Sequence, residues 1–231
     1  MRDVIDLVGA KTEEIKNGYD IVHETVHQFA ESLGNAIDAK DTCTSSHSDE
    51  VAVISKALGV QIRLNPDECR ALHIAGHLHD IGKIGIPDSI LKKKGKLTDE
   101  EYEVVKKHPV IGAGIVGPVS VFSGENGIAK MILHHHERFD GKGYPAGLKG
   151  HDIPFGARII AVADTLSAIM QDRPYRQAMS FNHALEEIER CSETQFDPVV
   201  VNALIEIADD VQKYLSDMKS YNEEDLIIKD A

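Results

Sequence analysis

The chain has 231 residues, 42% apolar and 27% charged, with 25 Lys+Arg against 38 Asp+Glu and a formal charge of −13. That is enough for one domain of upper-middle size with a real core, and the acidic balance excludes a protein that coats a nucleic acid polymer. No run reaches the apolar length of a membrane span, and MRDVIDLVGAKTEEIKNG lacks the basic start and apolar stretch of a signal peptide; a cytoplasmic protein without a membrane partner is expected.

In chain order the pattern is helical. Ile15, Ile21, Val22, Val26, Phe29, Leu33 and Ile37 recur near a 3.6 period and predict an amphipathic helix over 12–38, the core of an N-terminal region 1–40. Residues 48–58 predict a second helix, ended by Gly59. Asn65-Pro66 is a cap followed by proline, which starts a helix from 66 to about 80. Thr98-Asp99-Glu100-Glu101 is a capping box that starts a helix to about His108, before Pro109. Further helices are expected at 125–136, 156–170, 180–190 and, after Asp197-Pro198, 198–214. Residues 137–155 are rich in Gly, Pro and charge and predict a long functional loop. The acidic end, 216–231, reads as a frayed tail behind a catalytic domain over 41–215. Strict alternation is lacking, so the fold class expected is all-α.

The chemistry centres on histidine, of which there are 12. In LHDIGKIGIP (78–87), His79 and Asp80 fall at a predicted helix end, where an imidazole and a carboxylate can serve one point. Gly82 and Gly85 let the backbone turn closely, and Lys83 follows at a reach suited to a phosphate oxygen. Neutral imidazole with hard carboxylate suits Fe, Mn or Zn, and two ions can clamp both oxygens of an in-line displacement. His47, His108, His134–His136 and Asp164 are the natural further ligands. The cysteines, Cys43, Cys69 and Cys191, form no CxxC and read as reduced thiols. Residues 83–176 hold 14 Lys+Arg against 11 Asp+Glu while the rest holds 11 against 27, so the most basic part of the chain is where an anionic ligand would be welcome.

The segments HSDEV (47–51), HDIGKIGIPDSILKKKGKLTDEE (79–101), KHPVIGA (107–113), HHERFDGKGYPAGLKGHDIPFGARIIAVADTLSAI (135–169), DRPYRQA (172–178) and TQFDP (194–198) stand in one order and spacing. Together they make roughly residues 43–200 resemble the HD-GYP family of cyclic dinucleotide phosphodiesterases, a branch of the HD phosphohydrolases. The resemblance implies a helical HD core with added C-terminal helices and the loop Gly143-Tyr144-Pro145. It implies His47, His79, Asp80, His108, His135, His136 and Asp164 as ligands of two divalent ions, Asp80 bridging them. Lys83 would contact the scissile phosphate, Tyr144 would border the substrate, and Arg173 and Arg176 would hold the other phosphate or a guanine. The reaction implied is in-line attack of a hydroxide held between the metals on cyclic di-GMP, giving linear pGpG and then GMP. Another cyclic dinucleotide such as cyclic GMP-AMP, a linear nucleotide, or a metal-bound receptor with little turnover are the alternatives.

Three departures from the family matter. Cys43 stands where some members place a Glu that helps hold a third metal, which points to two ions; contact of Cys43 with a soft ion is the minor alternative. Ser167 stands where many members have Asp, and Glu193 replaces a common glycine before TQFDP. His134 reads as a flanking residue, His23 and His27 as a surface pair for want of a third ligand, and His73 and His77 as surface or supporting residues. A homodimer or a regulatory partner is expected through the N-terminal helix or the 143–145 loop.

Overall fold

The structure, a computed structural model, describes residues 2–41, 46–124, 126–172 and 177–229. Its helices are α1 (Arg2–Lys40), α2 (His47–Gln61), α3 (Pro66–Leu78), α4 (Asp88–Leu91), α5 (Asp99–Val105), α6 (His108–Val116), α7 (Ile128–His134), α8 (Phe155–Ile169), α9 (Phe181–Arg190), α10 (Pro198–Glu206) and α11 (Ala208–Lys229). Among the described residues there is no strand, only an isolated bridge between Ser192 and Phe196, so the all-α expectation holds. No helix among them is long and apolar enough to cross a membrane.

Helix starts follow the local chemistry. Asn65 accepts from the N–H groups of Asp67 and Glu68 while Glu68 accepts from the Asn65 N–H, and Thr98 and Glu101 repeat the exchange before α5. Three boundaries differ from expectation. Pro109 does not end a helix; it sits in the first turn of α6, where its missing N–H is no loss, so His108 opens a helix instead of closing one. The expected 198–214 helix breaks at Ile207, whose N–H bonds back to Leu204 in a tightened turn. The expected 125–136 helix shrinks to α7, so His135 and His136 lie just past its end.

The core lies where α2 packs between α3 and α8. Val51, Ile54, Leu58, Leu72, Ile159, Ile160 and Leu166 are buried there, with Ile132 of α7. Each such Ile or Leu contributes about 1.5–3 kcal/mol when fully buried. Helix α1 crosses α3 with Ala30, Gly34 and Ile37 inward. A Cβ on Gly34 would come within 2.7 Å of the His77 carbonyl oxygen, so glycine sets how closely the two helices approach. Val26 also packs against the core, whereas Ile21, Val22, Phe29 and Leu33 are exposed, Phe29 by 67%.

The end of α1 is fixed to the rest of the fold. Asp38 accepts from the Ser48 N–H at 2.9 Å and from its hydroxyl at 2.8 Å. The Lys40 ammonium donates to the carbonyls of Lys83, Ile84 and Ile86 at 3.2, 2.9 and 3.1 Å. Those carbonyls belong to, or directly follow, the 3-10 turn Ile81–Gly85 that leaves α3.

Candidate metal centre

Helix ends deliver most of the side chains to one region. His47 opens α2, His79 and Asp80 follow the last residue of α3, His108 opens α6, and His135 and His136 follow α7; Asp164 alone comes from mid-helix, in α8. The 3-10 turn after Asp80 lies against α6, and a Cβ on Gly82 would stand 1.9 Å from the His108 carbonyl oxygen. Only glycine permits this approach, which sets Asp80 beside His108.

The rings are oriented by one repeated device. Nδ1 of His79 faces the Gly76 carbonyl at 2.7 Å, that of His108 the Val105 carbonyl at 2.8 Å, and that of His135 the Ile132 carbonyl at 2.7 Å. A carbonyl can only accept, so Nδ1 carries the hydrogen and Nε2 is left as a lone-pair donor. His47 reaches the same state through Ser167, whose oxygen lies 2.9 Å from His47 Nδ1. The Ser167 hydroxyl donates to Glu50 at 2.6 Å, and Gln171 donates to both Glu50 and Ser167 at 3.0 and 3.1 Å. With its hydrogen committed to Glu50, Ser167 accepts from His47.

The donors fall into two groups, His47–His79–Asp164 and Asp80–His108–His135–His136, the ligand atoms of each lying within 4.8 Å of one another. Asp80 touches both: Oδ2 lies 3.2 Å from His79 Nε2, and Oδ1 lies 3.2 Å from His108 Nε2. Asp164 Oδ1 is 3.2 Å from His47 Nε2 and 3.9 Å from His79 Nε2. The Lys83 ammonium stands 2.7 Å from Asp80 Oδ2 and also pairs with Asp41.

Burial opposes charge throughout this cluster, and the neighbours decide the outcome. Burial disfavours the Asp80 carboxylate, yet Lys83, His79 and His108 hold its pKa well below the usual carboxylate range. Asp164 is likewise lowered against the pull of burial, chiefly by His47 and His79. Burial also works to discharge His79, but Asp80 and Asp164 overcome it and push its pKa up to about 9. His136 has no such excess of anions: burial, with His108 beside it, brings its pKa down to about 3, and burial lowers His108 and His135 as well.

This set fits divalent ions. The His79 Nε2 atom is buried with no hydrogen-bond partner, although its ring lies among carboxylates. Pre-oriented imidazoles, of which burial discharges His108, His135 and His136, and ionised carboxylates match a borderline-to-hard cation, which would take the place of the proton on His79 Nε2; no thiolate is present in either group. Cys43 lies outside the described residues.

Further side chains border this cluster. The Tyr144 ring lies 4.9 Å from that of His136, and the Lys106 ammonium lies 5.6 Å from the Tyr144 ring. Buried Glu137 accepts the backbone N–H groups of Ala146 and Leu148 at 2.7 and 3.1 Å, which holds the 143–148 loop beside the cluster. Arg173 and Arg176 lie outside the described residues. His134 belongs to neither group; its Nδ1 is 3.6 Å from Glu137 Oε1. Glu50, Ser167, Asp41 and Glu137 are positioning residues that sequence reasoning did not single out for this work. The only hint was Ser167 as a departure from the family pattern.

The HD domain family model matches residues 31–200. The chain is 40% identical to the cyclic di-GMP phosphodiesterase response regulator RpfG of Xanthomonas campestris, over 80% of this chain and 48% of that protein. It is 36% identical to 3'3'-cGAMP-specific phosphodiesterase 1 of Vibrio cholerae, over 78% of this chain and 42% of that one. It thus spans less than half the length of these curated relatives. A solved cyclic GMP-AMP specific phosphodiesterase of V. cholerae shares the fold, with a TM-score of 0.65 and 19% identity over 88% of this chain and 53% of that one. On its matched segment and these likenesses, the chain belongs to the HD domain family.

Proposed function

We propose that the chain is a metal-dependent phosphodiesterase that opens a cyclic dinucleotide, with cyclic di-GMP as substrate, pGpG as first product and GMP as the product of a second cut. One observation carries the reading: Asp80 turns one carboxylate oxygen toward each histidine-rich group, with Lys83 against it. In this reading His47, His79, Asp80 and Asp164 hold one ion, and Asp80, His108, His135 and His136 hold the other. Two divalent ions supply Lewis-acid charge and make water a nucleophile near neutral pH. Iron or manganese suits the donors, and zinc also fits.

The chain's own residues do the rest. Lys83, fixed between Asp41 and Asp80, sets positive charge where phosphoryl oxygens gain negative charge in the transition state. Tyr144, beside His136, offers a face for the substrate, and Arg173 and Arg176 are the residues proposed for its second phosphate or a guanine. Hydrolysis forms a bond from water oxygen to phosphorus and breaks the bond to the 3′-oxygen, which leaves with a proton. The exposed Ile21, Val22, Phe29 and Leu33 on α1 support that helix as the surface for a second copy or a regulator.

A second substrate, 3'3'-cGAMP, is favoured by the relative named for it. Metal-loaded protein incubated with cyclic di-GMP, 3'3'-cGAMP and cyclic di-AMP, followed by chromatography of the products, separates these readings. Faster turnover of cyclic di-GMP is expected. Preference for the mixed-base substrate would move the assignment, and binding without product at full metal occupancy would leave a receptor.

A further inference from the structure

Away from this centre, a third set of histidines comes together where α1 crosses α3. His73 and His77 are one turn apart on α3 and present their rings to the same side. His27 comes from α1, 46 residues before His73, and meets both. Its ring stacks on that of His73 at a centroid distance of 4.7 Å and meets that of His77 edge-on at 5.4 Å. The rings of His73 and His77 are 4.8 Å apart, and one nitrogen of each of the three histidines lies within 4.8 Å of the others.

Core packing does not account for this cluster. His77 is only 4% exposed, yet neither of its ring nitrogens makes a hydrogen bond, and Nδ1 of His73 has none either. Asp49 of α2 places Oδ1 3.2 Å from His77 Nδ1, in an orientation that leaves this carboxylate oxygen unbonded too. Burying a polar nitrogen without a partner is destabilising, and His77 Nε2 and His73 Nδ1 are both in that position. An open cavity of about 420 Å³ reaches His27 and His73 from solvent, with Asp20, His23, Glu24 and Lys56 also on its walls. Burial keeps His73 neutral, with a pKa of about 4, so its lone pair is available at neutral pH.

We propose that His27, His73 and His77 form a second, separate site for a divalent transition ion of the zinc class, a clasp between α1 and α3 with Asp49 as supporting carboxylate. Three imidazoles and an open fourth position are a sufficient zinc set. Zinc–nitrogen bonds of about 2.0–2.1 Å in a tetrahedron place nitrogens about 3.4 Å apart, so the rings must close by about an ångström. His27 is half-buried on a helix surface and can turn. The proposal does not depend on the phosphodiesterase reading, because it uses none of the residues of the HD centre.

The test is zinc titration of the full chain carrying His79→Gln, Asp80→Asn and His135→Gln, which leaves neither group of the HD centre with more than two donors and touches none of the three clasp histidines. One zinc equivalent should remain, with a dissociation constant at or below about 10 μM. Adding His27→Gln, or separately His73→Gln, should weaken it at least tenfold. Cobalt in the same protein should give the visible absorption of a four-coordinate ion, lost with His27→Gln. Zinc should also slow amide exchange in α1 around residue 27 in the parent and not in His27→Gln, with equal helicity by circular dichroism. Absence of zinc binding in the parent, or binding unchanged in both histidine variants, would overturn the assignment.

Discussion

Ser167→Ala isolates the orienting shell from the ligands. The hydroxyl accepts from His47 at 2.9 Å and donates to buried Glu50 at 2.6 Å. Its loss leaves His47 free to rotate or change tautomer, and leaves Glu50 with Gln171 at 3.0 Å. A hydrogen bond to a charged group is worth about 1.5–3 kcal/mol, and the remaining Gln171 contact keeps the expected stability loss toward the lower figure. Removing a residue that orients a metal-ligating histidine typically costs 10–100-fold in metal affinity. The loss should be confined to one ion, because the other group, with His108, His135 and His136, is oriented by backbone carbonyls at His108 and His135. Manganese titration of metal-free protein, followed by calorimetry, should therefore show one of two binding steps weakened by about 10–100-fold and the other unchanged. Ser167→Asn, which keeps an acceptor oxygen, should recover part of the loss. Two unchanged steps in a folded Ser167→Ala protein would refute the orienting role; equal weakening of both would place Ser167 in general packing.

Asp80→Ala should abolish both metal retention and turnover, measured by elemental analysis and product chromatography; full activity would exclude a bridging role. Gly82→Ala should cost about 1–3 kcal/mol in urea melts and lower kcat by about 100-fold, since its Cβ would meet the His108 carbonyl at 1.9 Å and drive α6 from Asp80. Without metal, the lowered pKa values of His73 (about 4) and His136 (about 3) mean that below about pH 6.5 the unfolded chain takes up protons the folded chain refuses. The urea midpoint of metal-free protein should fall as pH drops from about 6.5 to 4.5, whereas His79, raised to about 9, gives stability that is full below about 6.5 and is lost as pH rises through 9. A midpoint that is flat or rises toward pH 4.5 would contradict this. Glu193 holds φ +63, in the left-handed region, so Glu193→Gly should raise the thermal midpoint by an amount equivalent to about 1 kcal/mol or less.

The candidate ligands were legible because each is written locally. His79-Asp80 falls near a predicted helix end and follows α3, whereas His135-His136, predicted inside a helix to 136, stand out by their motif and fall just past the end of α7. Supporting contacts were not legible, because they are set by tertiary approach: Ser167 meets His47 and Glu50 across 120 and 117 residues. Pro109 misled for a related reason, since proline both stops one helix and suits the first turn of the next, and only packing decides between them. Along α1 the 3.6 period marked apolar positions correctly as helical but could not say which face has a partner. The same limit hid the third ligand for His27, which looked toward His23 in sequence and meets α3 in space.

Lys40 and Asp41 give α1 a mechanical meaning. One grips the three carbonyls around the Lys83 turn and the other grips the Lys83 ammonium itself. A helix of 39 residues is about 58 Å long, and its C-terminal end is bolted to Lys83, the lysine proposed for catalysis. It has the geometry of a lever whose short arm ends on Lys83: a small rotation of the long arm is delivered as a displacement of the cation proposed to meet the phosphate.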